Sequence, residues 1–389
     1  MQLGIDASNI RAGGGVTHLV ELLRVADPAE FGFARVTVWG GRETLTRLED
    51  RPWLMKIHVA LLDRTLPYRI FWQCFMLSEL ARTAECDVLF VPGGSYSGEF
   101  QPVVTMSQNM LPFEWGELRR YGWSFTSLRL FLLRWTQARS FRRAAGLIFL
   151  SRYARSEVTR VIKGTTGRTT IVPHGVHDGF EIRPREPLPI DRYSASRPYR
   201  ILYVSIVDWY KHQWHVAEAV GQLRRRCLPV VLDLVGPAHP SALSRLRRTL
   251  DRIDPAGEFV RYVGPVTSGE LPERYAKADL FVFASSCENL PNILLEGMAS
   301  GLPIACSNRG PMPEVLGDAG VYFDPENPDD IARALLELID SPELRARLAQ
   351  RSFERAQEYS WQRCAYQTFA FLAEVSRART INSDPLRSR

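Results

Sequence analysis

The sequence predicts an α/β protein of two doubly wound, Rossmann-like domains, and three observations carry the expectation. The chain has 389 residues, too many for one ordinary core and about right for two domains. Short apolar, β-rich segments alternate with helix-period segments throughout, the pattern of a parallel sheet covered on both faces. The alternation breaks once, in a proline-rich stretch, and then restarts.

The first set of expected strands is Leu3–Asp6, Val36–Trp39, Val88–Val91, Val103–Met106, Leu147–Leu150 and Thr170–Val172. Between Arg183 and Pro198 stand Pro184, Pro187, Pro189 and Pro198. Proline fixes φ and lacks the amide hydrogen, so this stretch reads as a linker. The second set is Arg200–Val204, Val230–Val235, Val260–Val263, Leu280–Ala284, Pro303–Cys306 and Gly320–Phe323. The expected organisation is an N-terminal domain over 1–182, a linker over 183–198 and a C-terminal domain with its closing helices over 199–379. A disordered tail is expected over 380–389. Two such domains would face each other across a cleft at the carboxyl ends of their strands.

Composition excludes several classes. No apolar run approaches the roughly 20 residues that cross a bilayer, and Met1–Asp6 reads as a strand, not a signal peptide. The six cysteines include no C-x-x-C pair, which argues against a zinc site or a disulfide framework and for a cytoplasmic setting. Net charge is +6, and no acidic residue occurs from Arg119 to Arg155. That segment interleaves nine arginines with Trp123, Phe125, Leu128, Phe131, Trp135 and Phe141. Two readings stand: contact with an anionic membrane surface, peripheral on the inner face of the plasma membrane, or a surface helix that packs its apolar face on a sheet. Nucleic acid is not an expected partner, since no recognised module accompanies the charge.

The chemistry concentrates in Ala284-Ser-Ser-Cys-Glu-Asn-Leu-Pro-Asn-Ile-Leu-Leu-Glu-Gly-Met-Ala-Ser-Gly-Leu-Pro. A strand ends in a polar loop, and a helix begins near Pro291 or Asn292, where proline's missing N–H costs nothing. Open amides at that helix start suit a diphosphate. Glu288 in the loop and Glu296 one turn into the helix are placed to accept hydrogen bonds from sugar hydroxyls on either side.

With seven residues between Glu288 and Glu296, followed by Gly-Met-Ala-Ser-Gly-Leu-Pro and Ser307-Asn-Arg-Gly-Pro-Met-Pro-Glu-Val, the segment resembles glycosyltransferase family 4. The resemblance covers nearly the whole C-terminal half and is weaker over the N-terminal one. It implies the GT-B fold, a nucleotide-sugar donor and retention of anomeric configuration. By this resemblance Glu288 contacts the donor's hexose and Glu296 its ribose, within a donor site that includes Asn289, Leu290, Pro291 and Asn292. Lys211 falls on the lysine that binds the diphosphate, whereas Ile206 stands where the family has an arginine. Arg309 is a candidate replacement for that cation. Gly236 ends a strand where backbone can approach a ligand, and Tyr262 and Val263 fall in the segment that reads the base.

In the N-terminal half, Gly13, Gly14 and Gly15 open a helix after the first strand and are candidates for close approach of acceptor or phosphate. His174 lies in a strand-to-turn segment where the family often has Asn. Gln108 and Asn109 stand where many members carry a His-Asp pair. Glutamine can position a hydroxyl but cannot shuttle a proton, and the retaining mechanism proposed for the family needs no side-chain base there. The catalytic candidates are therefore Glu288, Lys211 and Gln108.

The pairs His174/His177 and His212/His215 lack joining ligands and read as polar or packing residues. The chain contains no D-x-D triplet, so no metal and no cofactor is expected. The resulting expectation is a metal-independent retaining transferase. It would move a hexose, mannose by preference, to a saccharide or lipid-linked acceptor in surface polysaccharide synthesis. Alternatives are a sugar-nucleotide epimerase of the same fold and a non-catalytic subunit that binds nucleotide sugar.

Overall fold

The computed structural model describes residues 1–382. The chain falls into two compact units, one of Met1–Glu114, Trp123–Gly175 and Ser360 onward, the other of Trp115–Gly122 and Val176–Tyr359.

The first unit carries seven strands: β1 (Gln2–Asp6), β2 (Arg35–Gly40), β3 (Leu54–His58), β4 (Val88–Val91), β5 (Val103–Met106), β6 (Gly146–Phe149) and β7 (Arg168–Ile171). All pair in parallel, in the order β3-β2-β1-β4-β5-β6-β7. The order reverses direction beside β1, so the carboxyl ends of β1 and β4 form the crevice where such sheets bind ligands. Every residue of β4, β5 and β6 is buried, and these strands are continuous apolar runs because helices cover both faces.

The expectation omitted β3. It is an edge strand with no buried residue, and it carries Met55, Lys56 and His58 in place of an apolar run. A strand paired on one side only needs no such run, and charge along it discourages further pairing.

The second unit carries β8 (Tyr199–Val204), β9 (Val230–Val235), β10 (Val260–Gly264), β11 (Leu280–Phe283), β12 (Ile304–Ser307) and β13 (Val321–Phe323). They are also parallel, in the order β10-β9-β8-β11-β12-β13, with the reversal between β8 and β11.

The division differs from the expected 182/183 boundary at both ends. The proline-rich stretch 183–198 packs on the second unit: Tyr193 donates its hydroxyl to Asp279 at 2.9 Å, and the buried Arg345 donates to the Leu188 carbonyl at 2.6 Å. The last helix, Trp361–Asn382, joins the first unit, packing along the helix Gly14–Val25 and stacking Trp361 on His174 at 5.5 Å. It runs through Asn382, into the expected tail; residues 383–389 of that tail lie outside the described residues.

Candidate functional site

In the second unit, the crevice between β8 and β11 is built by two loops and one helix. The loop after β8 turns through a short 3-10 segment, Trp209–Lys211, capped by the Asp208 carboxylate accepting from the Trp209 amide at 2.7 Å. His212 then takes a left-handed conformation at φ 52° and redirects the chain into the helix Gln213–Arg225. The loop after β11 runs from Ala284 into the helix Asn292–Ala299. The two loops are joined by the Ser286 amide donating to the Tyr210 carbonyl at 2.8 Å. The His212 ring bonds the Ser286 hydroxyl at 2.9 Å.

Across this junction the Lys211 ammonium forms an ion pair with the Glu288 carboxylate. The side chains are only 7% and 15% exposed. Lys211 Nζ also lies 4.9 Å from the Tyr210 ring centre and 5.3 Å from that of Phe283, positions from which aromatic faces attract a cation. The lysine backbone is pinned as well, its carbonyl accepting from the Tyr203 hydroxyl at 2.6 Å. A buried pair of this kind holds both charges in fixed positions, and loss of either partner leaves the other uncompensated. The sequence reading gave these residues separate duties; the structure brings them into one bond.

Glu296 is partly buried one turn into the helix Asn292–Ala299, accepting from the Tyr275 hydroxyl at 3.1 Å. Burial is the dominant influence and raises its carboxyl pKa to about 7, opposed by the Tyr275 hydrogen bond. A carboxyl poised there gains most from ligand hydroxyls that hydrogen bond to its charged form.

The helix start is less open than expected. The Asn292 amide donates to the Leu290 carbonyl at 3.0 Å, and the Leu294 and Leu295 amides to Pro291 at 2.9 and 3.1 Å. Leu290 is buried, as is most of Asn289. Of the two candidate cations, Lys211 is the one that lies at this crevice, paired with Glu288. Arg309, the candidate replacement for the absent arginine, pairs with Asp324 at 3.1 Å instead. Ile206 is 37% exposed and contributes no charge.

Gly236 is required by packing. Its φ is +140°, and a Cβ there would lie 2.2 Å from the Ser205 carbonyl oxygen. The Tyr262 hydroxyl donates to the Gly236 carbonyl at 3.0 Å, tying the β10 edge to this turn beside the half-buried Val263.

The first unit has its own polar cluster at the carboxyl ends of β1 and β5. Gly13 has φ 67° with open space around its missing Cβ, and the helix begins at Gly14. A Cβ on Gly15 would lie 3.3 Å from the Gln108 side-chain oxygen. The Gln108 amide reaches the His18 ring at 3.5 Å and the Met106 sulfur at 3.1 Å. His18 is fully buried, stacks on His174 at 4.7 Å, and has its pKa pushed well down, by burial first and His174 second. Asn109 spends its side-chain oxygen on the Leu111 amide at 3.1 Å, a turn role. His18 escaped the sequence reading; the only signal was a histidine on the inward face of a helix four residues after Gly14.

The other histidine pairs take local roles. His177 caps the Gly179 amide at 3.0 Å, and His215 bonds the Pro325 carbonyl at 3.0 Å. Among the described residues, no three His, Cys, Asp or Glu side chains converge on a point that could hold a metal ion.

Comparison with known proteins shows what the chain is similar to. Residues 198–341 match the family model described as glycosyl transferases group 1. O-antigen chain mannosyltransferase B of Escherichia coli is 29% identical over 227 residues, 57% of this chain and 58% of that protein. The chain thus spans less than two thirds of that relative. Among solved structures, sucrose-phosphate synthase of Thermosynechococcus elongatus superposes with a TM-score of 0.72 at 18% identity, covering 98% of this chain and 100% of that one. The Anabaena protein HepE, solved with UDP and glucose, gives 0.64 at 17% identity over 99% and 100%. At these identities the likeness is one of fold, the GT-B arrangement of two Rossmann-like domains.

Proposed function

We propose that this chain, whose residues 198–341 match the group 1 glycosyltransferases, transfers a hexose from a nucleotide sugar with retention of configuration. The observation that carries the reading is the Lys211–Glu288 ion pair beside Glu296 at the β8/β11 crevice. Glu288 accepts from hexose hydroxyls. Lys211 keeps Glu288 as one partner and turns another of its three ammonium protons to the donor's phosphate. Glu296 accepts from the ribose. As the glycosidic bond breaks, charge builds on the departing phosphate, and a fixed, desolvated cation stabilises it without reorganising. The phosphate oxygen accepts the acceptor's proton on the same face, so no side-chain base is called for. Gln108, held by His18 and Met106, orients a hydroxyl in the first unit.

Lys211 serves as the electrophilic group, and the absence of a D-x-D triplet supports transfer without metal or cofactor. The relationship to an O-antigen mannosyltransferase supports mannose as the sugar and surface polysaccharide as the product. The acceptor is a saccharide or a lipid-linked saccharide, met at the inner face of the plasma membrane through the basic segment 119–155.

Calorimetric titration with UDP, GDP, ADP and CMP in chelator, on wild type and Glu296→Ala, tests the donor assignment. One nucleotide should bind tightly and lose affinity in the variant. Binding of none would favour the reading of a non-catalytic subunit.

A further inference from the structure

The helix Phe125–Arg143 is turned the wrong way for a helix that covers a sheet. Its inward face is Leu130, Gln137, Ala138, Ser140 and Phe141. That face is anchored by polar bonds, with the Ser140 hydroxyl accepting from the Tyr96 amide at 2.8 Å, and by Phe141 stacking on Phe113 at 5.9 Å. Phe125, Leu128, Leu132 and Trp135, spaced three and four apart on one stripe, are 54–81% exposed, and Trp123 just before the helix is fully exposed. Of the two readings open at the sequence level, packing of the apolar face on a sheet is the one this geometry does not support.

A second helix of the same unit repeats the inversion. Leu66–Phe75 buries Trp72 and Gln73 and exposes Leu66, Ile70, Phe71 and Phe75. Gln73 bonds the Ser95 carbonyl at 3.0 Å and the Ser97 amide at 3.1 Å, while Ser140 holds the Tyr96 backbone. Both helices therefore flank one loop, at the carboxyl end of β4. Large side chains expose roughly 100–150 Å² each at these fractions. The Phe125–Arg143 stripe alone leaves on the order of 600 Å² of apolar surface, at the upper end of what a monomer shows without a partner.

Charge identifies the partner. Arg129 and Arg139 are exposed on the same helix, Arg142 and Arg143 at its end, and no carboxylate occurs from Trp123 to Ser156 or within Leu66–Phe75. Aromatic and leucine side chains among arginines match the boundary between acyl chains and anionic headgroups. A protein partner for an apolar face requires no such exclusion of acid.

We propose that these two helices form a lipid-binding surface that inserts Trp123, Phe125, Leu132, Trp135, Phe71 and Phe75 into an anionic bilayer, held by Arg129 and Arg139. The proposal rests on and deepens the membrane contact in the proposed function, but it is read by vesicle binding, so its failure leaves the donor assignment intact.

The test is co-sedimentation of the full chain with vesicles of phosphatidylcholine containing phosphatidylglycerol, and with phosphatidylcholine alone. Wild type should bind the anionic vesicles, at least tenfold more weakly in 0.5 M salt, and bind the neutral ones poorly. Phe125→Ser with Leu132→Ser and Trp135→Ser should lower binding at least tenfold, and Phe71→Ser with Phe75→Ser several-fold. Arg129→Gln with Arg139→Gln should remove the preference for anionic lipid. Every variant should keep wild-type nucleotide affinity, which certifies its fold. Absence of vesicle binding by wild type would overturn the proposal. Equal binding to neutral vesicles would overturn it too. So would a dimer that the serine substitutions dissociate without changing vesicle binding, since a second copy would then cover the face.

Discussion

If the proposed donor site holds, Glu296 should make donor binding rise with pH, because its carboxyl is raised by burial. Burial raises its carboxyl to about 7 from an ordinary 4.5. In the proposed site ribose hydroxyls donate to the carboxylate, so binding would draw on the ionised fraction. That fraction is about a tenth at pH 6 and about nine tenths at pH 8. Affinity should therefore rise about tenfold between the two, about 1.4 kcal/mol. A nucleotide sugar is the ligand of choice, because its diphosphate is esterified at both ends and does not titrate in this window. Glu296→Gln should bind more weakly at pH 8 and lose the pH dependence. Tyr275→Phe removes a hydrogen bond that lowers the pKa, so the midpoint should move upward. Calorimetry at pH 6, 7 and 8 reads all three. The same shift acts on stability: the group's contribution is fully present below about 4.5 and is lost as pH rises through about 7. A wild-type affinity flat from pH 6 to 8, or a slope that survives Glu296→Gln, would refute the assignment of this carboxyl to the ligand.

Two further perturbations follow from the same region. Lys211→Met leaves the Glu288 carboxylate buried without its cation and should cost about 3–5 kcal/mol in urea unfolding. Adding Glu288→Gln should recover much of that loss while transfer stays abolished. Gly236→Ala forces a Cβ to within 2.2 Å of the Ser205 carbonyl at a φ of +140°; it should destabilise by about 2–4 kcal/mol. An unfolding midpoint within error of wild type would contradict the packing argument.

The fold was legible where burial on both faces leaves a continuous apolar run, as in Val88–Val91 and Val103–Met106, and in the strand-loop-helix around Glu288. It was not legible at Leu54–His58, since an edge strand needs no such run. Nor was the address of Trp361–Asn382 readable, because an amphipathic helix records that it packs and not on what. The Lys211–Glu288 bond joins loops 77 residues apart, and neither loop carries a mark of the other. The exposed stripe of Phe125–Arg143 and the buried stripe of an ordinary surface helix share one periodicity; only the packing distinguishes them. Gly236 shows a second cause that the sequence did not reveal: a side chain there would meet the Ser205 carbonyl, so packing alone requires the glycine.

Proton NMR of the sugar transferred from an α-linked nucleotide sugar by purified protein, in chelator, tests the central claim most directly. Transfer with retention should give the α anomer as the first product, formed without added metal and lost in Lys211→Met. A β product, or turnover that chelator abolishes and divalent cation restores, would contradict the mechanism built on Lys211 and Glu288.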